Sequence, residues 1–148
     1  MKKNTLFTVF AAFVFCLLFS AAANAGNIVV IVNTSSDLSS ATAGEVSKVF
    51  MGKASAISGT SVEAVDQVTS SKARIDFSEK ILGRSVRKVT NYWKKRVFAG
   101  KGEPPKELAN DAKVIAHVQS TAGAIGYISA ESLSDAVKAV EVDGKTEW

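Results

Sequence analysis

The sequence predicts a single α/β lobe, with a mixed, largely parallel sheet flanked by helices. Three observations carry this. Residues 28–32, Ile-Val-Val-Ile-Val, form a continuous β-branched run, as expected for a strand covered on both faces. Strand-like and helix-like stretches then alternate along the chain, the pattern of an α/β domain. Residues 64–82 pass from the apolar end of a strand through a polar turn into a helix. Ala73, Phe77 and Ile81 fall on one face of that helix.

In chain order, the strand 28–32 ends in a polar loop, residues 33–40. A helix follows from about Thr42, with Val46, Val49 and Phe50 inward and Gly52 as its C′ residue. Residues 53–60 read as irregular and 61–65 as the second strand. The helix after the turn at 66–71 stops near Gly83. Ser85 caps the next helix, which runs to about Phe98 with Val86, Val89, Trp93 and Val97 inward. Residues 102–106 form a rigid surface loop, because neither proline can donate to a ladder. Asn110 or Asp111 caps a helix whose apolar face is Val114, Ile115 and Val118. Residues 122–128 read as turn then strand, and Gly126 inside it implies close approach of a neighbour. Residues 137–142 are expected as a last strand at the sheet edge, with a frayed end at 146–148.

Residues 1–25 are read as a signal peptide. Lys2 and Lys3 form a basic start, residues 6–19 are apolar apart from Thr8, and Ala23-Asn24-Ala25 offers small residues for cleavage. The run falls short of the ~20 apolar residues of a membrane span. Cleavage after Ala25 is expected, leaving residues 26–148 as one periplasmic domain with no stable membrane insertion. The only cysteine, Cys16, leaves with the leader, so the exported chain uses no disulfide. Losing the two leader lysines lowers the net charge from +4 to +2, which removes the case for nucleic-acid binding.

The turn at residues 67–74 is the candidate binding site. Ser70 or Ser71 can cap the following helix, whose first turn presents free N–H groups and a partial positive charge. Arg74 in that turn opposes the helix dipole unless an anion or a carboxylate lies near. One reading is an oxyanion site. The other is a plain cap, with Arg74 exposed in a salt bridge to Asp76, Glu79 or a residue elsewhere. Ligands of α/β sheets bind beyond the carboxyl ends of strands. On that rule the loop 33–36, the loop 67–71 and Ser129 are expected to meet at one edge.

The stretch 84–101 is the most basic, with Arg84, Arg87, Lys88, Lys94, Lys95 and Lys101. A solvated helix face is preferred there over a contact surface for anionic lipid or an acidic partner. Trp93 stands at core spacing. His117 is the only histidine, and nothing stands at ligand spacing to it, so neither metal nor cofactor is expected. A nucleophile–base pair and a Gly-rich nucleotide fingerprint are also lacking, which argues against an enzyme.

Five stretches, 28–36, 49–53, 67–77, 92–102 and 118–127, together resemble the periplasmic phosphate-binding proteins of ABC transporters, in a short single-lobe form. The most specific is Ala124-Ile-Gly-Tyr127 after a helix. The resemblance implies a type 2 periplasmic-binding-protein fold and a match mainly to the second of two lobes. In the family the phosphate turn reads Arg-x-Asp-x-Ser-Gly-Thr. Here Gln67, Thr69, Ser71, Lys72 and Ala73 stand at those places, and only the serine matches. The implied function is solute binding in ABC-type transport, with weak affinity for phosphate or a related oxyanion. Ser70, Ser71 and Arg74 are expected to hold the anion, helped by Gln67 and by Thr34, Ser35 and Ser36. The implied partner is an ABC permease or another periplasmic protein. The alternative is a periplasmic protein-interaction module that kept the fold without a ligand and acts through the helix around Lys94 and Lys95.

Overall fold

The computed structural model describes residues 27–148. The expected signal peptide, residues 1–25, and its expected cleavage after Ala25 lie outside the described residues.

The elements are β1 (Ile28–Val32), β2 (Ser40–Ala41), α1 (Ala43–Phe50), β3 (Ala56–Ile57), β4 (Thr60–Ser61), β5 (Glu63–Gln67), α2 (Lys72–Lys80), α3 (Val86–Phe98), β6 (Lys106–Leu108), α4 (Asp111–Ser120), β7 (Ala124–Ser129) and β8 (Lys138–Val142). A 3-10 turn, Ala130–Ser132, follows β7. Six strands make one sheet in the order β2-β8-β1-β7-β5-β6, and β3 and β4 form a separate hairpin. The pairings β2–β8, β7–β5 and β5–β6 are parallel. Those of β1 with β7 and β8 are antiparallel. The mixed, largely parallel sheet expected from the sequence is therefore present. Within it β1 alone runs against the other strands.

Alternation along the strands divides the core in two. Ile28, Val30 and Val32 of β1 face a large cluster with Phe50 of α1, Phe77 of α2 and Trp93 of α3. Val29 and Ile31 face a smaller one, closed by Val114 and Val118 of α4. The result is a three-layer lobe with α1, α2 and α3 on one face and α4 on the other. Tyr127 stacks on Phe77 with ring centroids 3.9 Å apart, which fixes α2 over β7. Gly126 is where α4 comes closest. A Cβ there would lie 2.7 Å from Val114 Cγ1 and 3.1 Å from Val65 Cγ2.

Helix starts follow the sequence chemistry. Thr42 and Glu45 form a capping box, with Thr42 N–H donating to Glu45 Oε2 at 2.9 Å. That backbone bond, with the Thr42 hydroxyl, holds the Glu45 carboxyl below its usual range. Ser71, Ser85 and Asn110 cap α2, α3 and α4.

Five local expectations are corrected. β5 runs on to Gln67, so Asp66 and Gln67 are strand residues. β6 forms beside β5, where a loop was expected after the two prolines. The irregular stretch contains the β3–β4 hairpin. β8 lies between β1 and β2 and is not an edge. The C-terminus is held: Ile28 and Trp148 exchange two backbone bonds of 3.0 and 3.1 Å.

Candidate functional site

The chain's polar chemistry concentrates at one edge of the sheet. Because β5, β6 and β7 are parallel, their carboxyl ends at Gln67, Leu108 and Ser129 lie together. α2 begins just after β5 and α4 just after β6, so both helix N-termini arrive at this edge.

Alternation at the end of β5 sends consecutive residues to opposite faces. Asp66 faces α2 and is sealed among Arg74, Tyr127 and backbone. Its carboxylate pairs with Arg74 Nη1 and accepts from the Tyr127 hydroxyl. Gln67 N–H adds a bond of 2.9 Å. Asp66 is 4% exposed and Arg74 3% exposed. Arg74 Nη1 also donates to the Gln67 carbonyl at 3.0 Å. Burial pushes the Asp66 carboxyl above its usual range, against the pull of the Arg74 charge and the hydrogen bonds. Burial first, then the neighbouring carboxylate, pushes the Tyr127 phenol far above its ordinary value.

Gln67 faces α4. Its Nε2 donates to Asp111 Oδ1 at 2.7 Å and to the Tyr127 carbonyl at 3.0 Å. Its Oε1 accepts from the Ser71 hydroxyl at 2.7 Å. Asp111 opens α4 and accepts two further bonds: Oδ2 takes Ser129 N–H at 3.1 Å and the Ser132 hydroxyl at 2.8 Å. A groove of about 440 Å³ lies over this edge, lined by Gln67, Ser71, Lys72, Asn110, Asp111 and Ser129 among others. No acidic residue stands in the first turn of α2. Two helix N-termini and Lys72 favour an anion in the groove, and the Asp111 carboxylate opposes one.

The expected site residues are divided by this geometry. Gln67, Ser70 and Ser71 lie on the carboxyl edge, with Ser71 as the cap of α2. Arg74 is beside them in sequence but its guanidinium is withdrawn into the core. Its expected exposure is corrected, because the pair is buried, and of the partners considered it is the residue elsewhere, Asp66 on the strand, that holds it. Thr34, Ser35 and Ser36 do not meet the others. β1 runs antiparallel to β7, so its carboxyl end points to the opposite edge. Asn33 Nδ2 reaches the carbonyls of Val118 and Gln119 at the far end of α4, both at 2.9 Å. That is the ~15 Å length of a ten-residue helix from the groove.

Sequence reasoning missed Asp66 as a strand residue, Asp111 as an acceptor, and Lys72 as the exposed cation of the edge. Lys72 pairs with Asp76 at 2.7 Å in the i,i+4 relation, which spacing alone could have found. Asp111 lies 44 positions from Gln67, and no local pattern joins them.

The fold, an α/β lobe with this strand order, is one that solved structures share. An ABC-type phosphate transport receptor from Vibrio cholerae superposes with a TM-score of 0.63 at 16% identity, over 83% of this chain and 49% of that one. A putative phosphate ABC transporter substrate-binding protein from Clostridium perfringens, solved with bound phosphate, gives 0.62 at 21% identity, over 81% and 47%. PstS from Borrelia burgdorferi gives 0.59 at 11%, over 81% and 49%. The chain thus spans about half the length of these receptors, and at such identities the likeness is one of fold. No family model and no curated protein matches the sequence. Among the described residues no helix is long and apolar enough to cross a membrane.

Proposed function

We propose that residues 26–148, exported and cleaved after Ala25, form a non-enzymatic solute-binding lobe of the periplasm that holds a small oxyanion of the phosphate kind. The observation that carries this reading is the convergence of the α2 and α4 N-termini on one groove beyond three parallel strand ends. The Lys72 ammonium and the first free amides of α2 contact the anion, and Ser70, in the turn just before them, stands outside the groove lining. Ser71 and Gln67 shape the groove floor, and Arg74 acts from behind by fixing the Gln67 carbonyl. An ABC permease or another periplasmic protein is the expected partner for delivery.

Affinity in this arrangement is weak. A bond to a charged group contributes ~1.5–3 kcal/mol, while association costs ~4–15 kcal/mol. Asp111 repels the ligand and occupies Gln67 Nε2 and Ser129 N–H. Dissociation constants on the order of millimolar follow. Thermal unfolding with and without phosphate tests the reading. Phosphate raises the midpoint of the wild type, raises that of Asp111→Asn more, and raises that of Lys72→Ala less. Equal shifts in the three proteins would refute the site. A second reading, a protein-interaction module, is favoured by Arg74: the guanidinium nearest the turn is sealed against Asp66 and cannot meet a ligand in the groove.

A further inference from the structure

A second groove, also of about 440 Å³, lies on the other side of Arg74, between α3 and the start of β6. Its lining is mostly apolar: Trp93, Val97, Phe98 and Pro104, with Thr90 and Lys94 along α3 and Glu107 opposite. Phe98 is 96% exposed and Val97 49% exposed, although the sequence places Val97 on the inward face. α3 ends at Phe98, so these two side chains project past the sheet and find nothing to cover them. Their neighbours are basic: from Arg84 to Lys101 the chain has no acidic residue. On α3 the i,i+4 and i,i+7 relations put Arg87, Lys94 and Phe98 along one side. β6 borders the groove as the last strand of the sheet, with no strand beyond it among the described residues.

From this surface we infer a docking site for an acidic peptide segment of a partner protein, anchored by a bulky apolar side chain. The inference deepens the interaction reading and is independent of the oxyanion groove. Charge selects the occupant. Another copy presenting the same face would bring like charges together, which opposes self-association. An acidic segment meets Lys94 on the groove wall and Arg87 along the same side of α3, away from Glu107 opposite, and its apolar side chain fills the space between Trp93, Val97 and Pro104. A membrane surface fits less well, because the apolar lining is a groove with the buried Trp93 at its base, a shape that takes one bulky side chain.

Trp93 lines the groove and reports on it. The probe is a synthetic peptide of alternating Glu and Leu with a central Phe, added to the exported chain at low salt. A matched peptide with Lys in place of Glu is the control. The acidic peptide shifts Trp93 emission, and binding weakens about tenfold in Lys94→Glu and in Phe98→Ser, and again as salt rises. Phosphate-dependent shifts at the carboxyl edge stay unchanged in Phe98→Ser, which separates failure here from failure of the oxyanion site. Equal response to both peptides, or indifference to both substitutions, would overturn the inference. So would binding to phosphatidylglycerol vesicles without binding to the peptide, or dimerisation abolished by Phe98→Ser.

Discussion

Residue by residue, the decisive feature is the buried pair of Asp66 and Arg74. Both are sealed, so removing one strands the other's charge in the core. Arg74→Ala is expected to destabilise the lobe by about 3–5 kcal/mol in urea unfolding. The reading of Arg74 as an exposed side chain would have made the same change nearly neutral. A loss under 1 kcal/mol would mean that the pair is open to water. Tyr127 adds a pH signature. Its phenol keeps its proton where an unfolded tyrosine loses it, near pH 10. Above that pH the unfolded chain binds fewer protons than the native one, so stability falls as pH rises. Denaturant midpoints measured across the alkaline range should decline in the wild type and decline less steeply in Tyr127→Phe. Parallel declines would remove Tyr127 as the cause.

At the level of elements, the long helices and the central strands were legible because their signals are local. The β-branched run marks β1, period and capping mark α1 to α4, and Gly126 foretells the approach of α4. Gly126→Ala tests that contact. The added methyl meets Val114 and Val65, at a cost of about 1–3 kcal/mol in urea unfolding, and a neutral outcome would show that α4 can retreat. What was not legible depends on pairing between distant residues. Nothing within residues 28–36 says that β1 runs against its neighbours, yet that single direction takes Thr34, Ser35 and Ser36 away from Ser70 and Ser71. The three-residue β6 follows two prolines and carries charges, so only its place beside β5 makes it a strand. Asp66 and Gln67 resemble turn residues by type, and the parallel partners of β5 decide otherwise.

On the scale of the whole molecule, one sheet joins every layer. Its two core clusters share β1, β5 and β7, so a single unfolding transition is expected from fluorescence and circular dichroism alike. Transitions that separate would mean that the α4 face melts by itself. The two faces of the Asp66–Arg74 pair also separate two surfaces, an anion-favouring groove at the carboxyl edge and an apolar, basic one along α3. The first of these is the surface on which the proposed solute binding rests. Backbone amide NMR of residues 26–148 at low salt, titrated with phosphate to tens of millimolar, tests it most directly. The account predicts saturable shifts centred on residues 70–73 and 110–112, with residues 33–36 unmoved. Shifts centred on 33–36 or on α3, or no shifts at the end of the titration, would contradict it.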